Sequence, residues 1–193
     1  LKRLYVHEDI YDDMCAALAG IAASVKTGPA SESPDFGPIQ NKMQYDKVCA
    51  LAEAAKADGA TFMTGGSPLD RPGYFFPVTI VKDIPEESRL VQEEPFGPVA
   101  VVNPVASLDA AIAAANAVPF GLAGYGFTNR ADYIDRMIDE VEVGNLSINT
   151  LEASMPETPF GGVKSSGTGR EGGTEGLENY MTVKNVWHAS KIS

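Results

Sequence analysis

Short β-branched or aromatic runs alternate with helical stretches along most of this chain, and no other feature constrains its fold as tightly. Residues 75–81 and 99–102 read as strands. Residues 108–117 form an Ala-rich helix opened by Ser107, and residues 124–127 a glycine-heavy strand. A helix over 130–141 follows, with Ile134, Met137, Ile138 and Val141 inward, then a strand over 145–149. Strands separated by helices of this size specify an α/β fold: a mostly parallel sheet with helices on both faces.

The flanks fit the same scheme. Residues 3–6 read as the end of a strand. Residues 8–25 follow as a helix, with acidic residues in its first turn, where the helix dipole favours them, and with Ile10, Met14, Leu18 and Ile21 on one stripe. A Gly/Pro/Ser-rich loop occupies 27–38. Asn41 is placed to cap a second helix whose apolar face is Met43, Val48, Leu51 and Ala55, ending at Asp58 and Gly59. Residues 61–64 form a short strand, 65–73 turns, and 174–180 a short helix. Residues 181–187 alternate as an edge strand should, leaving the compact body. The expected organisation is a body over 1–180 and a C-terminal strand over 181–193. A length of 193 residues suits one domain with a real core, or one and a fraction.

A net charge of −11 argues against a nucleic-acid surface, because phosphate binding needs clustered Lys and Arg. No run approaches the roughly 18 apolar residues of a membrane span. Cys15 and Cys49 make no disulfide framework in a chain of this length, which points to a reducing, cytoplasmic setting. Both lie in helices with apolar neighbours, where a thiol behaves as a small hydrophobe, so neither reads as a nucleophile. His7 and His188 sit far apart with no Cys or carboxylate at ligand spacing, so no metal site is expected.

Two segments carry chemistry that folding alone rarely demands. Glu93-Glu94-Pro95-Phe96-Gly97-Pro98 sets a carboxylate and an aromatic ring on a rigid corner: the prolines fix φ and remove two donors, and Gly97 permits a tight turn. Such a carboxylate can accept from vicinal ribose hydroxyls, and the ring can pack on a planar one. Solvated turn acids and a core-plugging Phe96 explain the same residues. The second segment runs from Pro159-Phe160-Gly161-Gly162 to Gly167-Thr168-Gly169-Arg170-Glu171. Gly167 to Gly172 matches G-x-G-x-x-G, yet no hydrophobic strand precedes it, so it is not a dinucleotide fingerprint. Its glycines instead let backbone pass close beneath a site floor. Glu171 reads equally well as an ion-pair partner of Arg170 or Lys164.

Together these motifs resemble the C-terminal part of the aldehyde dehydrogenase family, enzymes that oxidise an aldehyde with NAD or NADP. The resemblance covers essentially all of the chain, and the following roles are what it implies. Glu94 corresponds to the carboxylate on the nicotinamide ribose and Phe96 to the aromatic beside the nicotinamide. Family members more often carry an aliphatic residue at position 95. Gln44 and Lys47, one helical turn apart, correspond to positions that touch the cofactor ribose; an exposed helix surface accounts for them as well. Asn149 ends the strand that reaches the substrate pocket, Leu151, Glu152 and Ser154 wall its tunnel, and Phe160 lines it near the reactive sulfur. Glu171 matches a carboxylate assigned to a proton relay and is the catalytic candidate. The tunnel stretch lacks large aromatics, which favours a small or polar aldehyde, and the tail is similar to the succinate-semialdehyde branch.

In that family a cysteine thiolate attacks the aldehyde, hydride passes from the thiohemiacetal to the nicotinamide, and water hydrolyses the thioester. By the resemblance the cysteine lies just upstream of Leu1, so this stretch by itself is expected to be inactive. The expected partners are a small-molecule aldehyde and further copies of the chain, as a homodimer or dimer of dimers through the C-terminal strand. Nucleic acid and membrane are not expected. The alternative is a non-catalytic α/β module whose role is self-association.

Overall fold

A computed structural model describes residues 1–152 and 154–190. It is a mixed α/β fold with a mostly parallel sheet, and it divides into two units, Leu1–Ala111 and Ile112–Ser193. The first unit contains, in order, β1 (Arg3–His7), α1 (Tyr11–Ser24), α2 (Lys42–Ala57), β2 (Thr61–Phe62), β3 (Thr79–Lys82), α3 (Arg89–Gln92) and β4 (Val99–Val105). The division between units falls within α4 (Leu108–Asn116). The sheet order is β1-β4-β3-β2, with β1 and β3 both parallel to β4 and β2 antiparallel to β3.

Strand periodicity puts a helix on each face of this sheet. Val81, Val99 and Val101 pack with Val48, Leu51, Ala52 and Ala55 of α2 on one side. The intervening Ile80 and Val102 pack with Val6 and with Tyr11, Cys15 and Ala22 of α1 on the other. Successive side chains of a strand point to opposite faces, so one set of strands serves both cores.

Each helix differs from its expected stripe in one respect. A 3-10 turn over Glu8–Ile10 precedes α1, and the inward stripe is Tyr11, Cys15 and Ala22, with Ile10 and Ile21 exposed. The Tyr11 hydroxyl donates to Val102 O at 3.1 Å, which anchors that face to β4. Met14 and Leu18 pack at the edge of the same cluster. In α2 the cap is as expected, Asn41 Oδ1 accepting from Gln44 N at 2.9 Å. Met43, however, is 77% exposed. The buried residues Val48, Leu51, Ala52 and Ala55 form a stripe whose continuation one turn earlier is position 44, not 43.

The second unit contains β5 (Phe120–Gly121), β6 (Ala123–Gly126), α5 (Ala131–Glu140), β7 (Asn145–Ile148), β8 (Val163–Lys164) and α6 (Glu175–Glu178). Strands β6 and β7 pair parallel, and β5 and β8 antiparallel. On α5 Met137 is buried while Ile138 is exposed, so the expected inward set holds only in part. Polar staples tie the helix ends. Asn116 Nδ2 donates to Glu140 O at 2.7 Å, and its Oδ1 accepts from Glu142 N at 2.8 Å. Lys164 Nζ donates to Asn116 O at 2.9 Å and pairs with Glu142. Residues 181–190 form no strand within this chain, and Val183 and Trp187 are fully or almost fully exposed. Among the described residues no helix is long and apolar enough to cross a membrane.

Candidate active site

The corner carrying Glu94 and Phe96 lies between α3 and β4, and α2 holds its backbone. Lys47 Nζ donates to Glu94 O at 2.8 Å, and Gln44 Nε2 donates to Pro95 O. Gly97 lies so close to α2 that a Cβ there would stand 2.6 Å from Val48 Cγ2. Beyond it, Thr79 N donates to Pro98 O at 2.8 Å and Val99 N to Gly97 O at 2.8 Å. Pro95 is buried and offers only its carbonyl, which α2 uses. An exposed helix surface therefore does not account for Gln44 and Lys47. Their signal in the sequence was their place on the α2 stripe, which the choice of Met43 obscured.

Phe96 adopts φ 43°, in the left-handed region. For a bulky residue other than glycine that costs roughly 1–3 kcal/mol, so the surrounding contacts must impose it. The ring is 68% exposed and is not a core plug. It borders a depression of about 280 Å³ shared with Phe36, Gly37, Pro38, Ile39 and Gln40. The sequence reading missed those neighbours; they follow a Gly/Pro/Ser-rich loop that shows no periodic signal.

The two acids of the corner differ in environment. Glu93 pairs with Arg89 at 2.7 Å, and that hydrogen bond holds its carboxyl below the usual range. Glu94 is half-buried, and its carboxylate makes no hydrogen bond or ion pair among the described residues. Lys2 lies within electrostatic reach. Burial lowers its ammonium to about 8, Arg3 adds to the shift, and Glu94 opposes it. Burial pushes the Cys49 thiol up, against the pull of a hydrogen bond with Tyr45, which disfavours a thiolate there.

In the second unit Phe160 and Glu171 are direct backbone partners. Phe160 N donates to Glu171 O at 2.7 Å, and Glu171 N to Phe160 O at 2.8 Å. Neither suggested ion pair forms: Arg170 Nη1 donates to Gly162 O at 2.8 Å and Gly169 O at 2.9 Å, while Lys164 pairs with Glu142. The Glu171 side chain is exposed. A Cβ on Gly161 would stand 2.2 Å from Gly169 O, so backbone does pass as closely here as the glycine pattern suggested.

Asn149 sits at φ 58°, a conformation that Asn tolerates better than most residues. Its Oδ1 accepts from Thr128 N at 2.9 Å and its Nδ2 donates to Thr128 O at 2.9 Å. The amide thus extends the β6–β7 pairing by one rung. Leu151, Glu152 and Ser154 follow as exposed residues, with Ser147 Oγ donating to Glu152 O at 2.7 Å.

A family model described as "Aldehyde dehydrogenase family" matches residues 1–186. The chain belongs to the aldehyde dehydrogenase family. It is similar to succinate-semialdehyde dehydrogenase (NADP(+)) 1 of Mycobacterium tuberculosis, 41% identical over 189 residues, which are 97% of this chain and 41% of that protein. It is similar also to succinate-semialdehyde dehydrogenase (NADP(+)) of Mycobacterium avium, 42% identical over 193 residues, 100% of this chain and 41% of that protein. Among solved structures, a mutant aldehyde dehydrogenase of Bacillus cereus superposes with a TM-score of 0.93 at 35% identity, over 98% of this chain and 39% of that one. A mutant betaine aldehyde dehydrogenase of Staphylococcus aureus in complex with NAD+ gives 0.89 at 34% identity, over 95% and 38%. This chain thus spans about two-fifths of the length of the curated relatives it matches, 41% of each.

Proposed function

We propose that this chain is the C-terminal portion of an NAD(P)-dependent aldehyde dehydrogenase. The observation that carries the reading is the family match over residues 1–186, together with an α2-held corner that presents an unpartnered carboxylate and an exposed ring. The residues present fit the nicotinamide-ribose end of the cofactor. Glu94 offers both carboxylate oxygens to ribose hydroxyls, and Phe96 offers a ring face beside a depression of about 280 Å³. Gln44 and Lys47 belong to the same cofactor-binding group.

When bound, NAD or NADP supplies the hydride acceptor for oxidation of the aldehyde to a carboxylate. Phe160 contributes an apolar wall to the aldehyde site, with Asn149, Leu151, Glu152 and Ser154 on the preceding segment. Glu171, cross-paired with Phe160 and free of Arg170 and Lys164, serves a proton relay behind the site rather than acting as the general base itself. The tail is similar to the succinate-semialdehyde branch, and the absence of large aromatics over 149–154 suits a small or polar aldehyde. The thiols of Cys15 and Cys49, both free, support a reducing cytoplasmic setting. Self-association through residues 181–187 makes the enzyme a homodimer or dimer of dimers.

The test is made on the full-length enzyme. Glu94→Gln should lower kcat/KM for the cofactor by about 10- to 100-fold, the cost of weakening charge-assisted hydrogen bonds. Turnover indistinguishable from the parent would remove Glu94 from the cofactor site. Residues 1–193 alone should give no aldehyde-dependent NAD(P)H, because the nucleophile is not among them.

A further inference from the structure

We propose that Glu86 is a positioning residue for the cofactor site: it moors α3 to the sheet and so fixes where the chain enters the Glu94 corner. This rests on reading Glu94 as the ribose carboxylate. Glu86 lies in the turn between β3 and α3 and is half-buried. Its Oε2 accepts from the Tyr5 hydroxyl at 2.8 Å and its Oε1 from Asn103 Nδ2 at 2.7 Å. Tyr5 and Asn103 are register partners on β1 and β4. Each makes a second bond, Arg3 Nη1 donating to the Tyr5 hydroxyl at 3.0 Å and Asn103 Nδ2 to Ile84 O at 2.9 Å, so the Glu86 carboxylate meets a fixed frame.

The main chain of the same residue holds the far end of α3. Gln92, the last residue of that helix, donates from Nε2 to Glu86 O at 2.7 Å. Four residues are too few for a helix to stand by propensity, so α3 is placed by the burial of Leu90 and Val91 and by this bond. Glu93 N then donates to Arg89 O at 2.8 Å, and Glu94 is the next residue. On its other side the corner runs into β4, whose Asn103 grips the Glu86 carboxylate. Residues 86 and 103 are thus the feet of one arch, with Glu94 about midway between them. α2 holds the crown by the Glu94 and Pro95 carbonyls, and Glu86 closes the base, so the two restraints are separate. A half-buried carboxylate is tolerated where its oxygens are hydrogen-bonded, and here both bonds serve the base of the arch.

Kinetics of the full-length enzyme separate positioning from stability. Glu86→Ala should raise the KM for NAD(P) by about 5-fold, with kcat changing by less than about 2-fold. Tyr5→Phe keeps the Asn103 bond and should raise that KM by about 2- to 3-fold, which decides the matter if Glu86→Ala does not fold. Beside Glu94→Gln the effect of either change should shrink to within about 2-fold, because the carboxylate that the arch places is gone. Tyr11→Phe removes a hydroxyl bond to Val102 O on the α1 face of the sheet. It should lower stability and leave the KM alone. A parent-like KM in Tyr5→Phe and Glu86→Ala, a rise that persists undiminished beside Glu94→Gln, or an equal rise in Tyr11→Phe would overturn the proposal.

Hydrogen exchange supplies a readout independent of turnover. The Glu93 amide donates to Arg89 O and should exchange faster in Glu86→Ala and Tyr5→Phe than in the parent; unchanged exchange would sink the mooring by itself. If the parent oxidises no aldehyde, the reading of Glu94 fails and the cofactor role of Glu86 fails with it, while faster exchange in the variants would show that the mooring was not the cause.

Discussion

Tyr5 shows how single residues carry the first unit. Its hydroxyl donates to Glu86 Oε2 at 2.8 Å, and Asn103 Nδ2 donates to Glu86 Oε1 at 2.7 Å and to Ile84 O at 2.9 Å. Burial, then the Glu86 bond, pushes the phenol up to about 12. An unfolded tyrosine loses its proton near 10, so between about pH 10 and about pH 12 the folded state binds the extra proton. The stabilisation is complete below pH ~10 and is lost as pH rises through that window. Tyr5→Phe should cost about 1–2 kcal/mol near neutrality, and its difference from the parent should narrow above pH ~10 in urea titrations. A difference that stays level into the alkaline range would remove Tyr5 from the linkage. None of this was legible beforehand, because Tyr5 and Glu86 stand 81 positions apart and no local rule joins them. The Glu94 corner was legible for the opposite reason: Pro95, Gly97 and Pro98 constrain φ within the segment itself. The exposure of Phe96 was not, since the contacts that hold this corner come from α2, 47 and 51 positions away.

Helices declare their ends more readily than their phase. The Asn41 cap of α2 and its stop at Asp58 and Gly59 follow from local chemistry and are found as read. The phase of α1 depends on a 3-10 turn and on a hydroxyl reaching β4, neither of which periodicity reports. For α2 the phase sets more than the core, since the face that buries Leu51 also carries Gln44 and Lys47 onto the carbonyls of Pro95 and Glu94. Leu51 is 0% exposed, between β3, β4 and the rest of the α2 stripe. Leu51→Ala should cost about 2–5 kcal/mol in chemical denaturation. Met43→Ala, at a position 77% exposed, should stay within about 0.5 kcal/mol. Equal effects at the two positions would mean that the helix packs on another face. In the second unit Gly144 marks a comparable fixed contact, for a Cβ there would stand 1.9 Å from Gly161 O.

At the scale of the whole molecule, the tail is the segment least explained by its own chain. Met181, Val183, Val186 and Trp187 are all exposed, and residues 181–190 find no strand to pair with. An apolar, alternating segment left in water is a surface awaiting cover, and on the proposed reading a second copy would supply it without new design, because isologous pairing reuses the same residues. The sequence could indicate such a strand by alternation, but pairing is a property of two chains. Trp187 is the only tryptophan of these 193 residues, and it is 94% exposed here. Its emission should therefore shift to the blue as the chain is concentrated and the tails pair, and light scattering should show the mass doubling over the same range. In the full-length enzyme, removing residues 181–193 should reduce the assembly to monomers. An assembly unchanged by that deletion, or an emission that stays red at every concentration, would show that other surfaces hold the copies together.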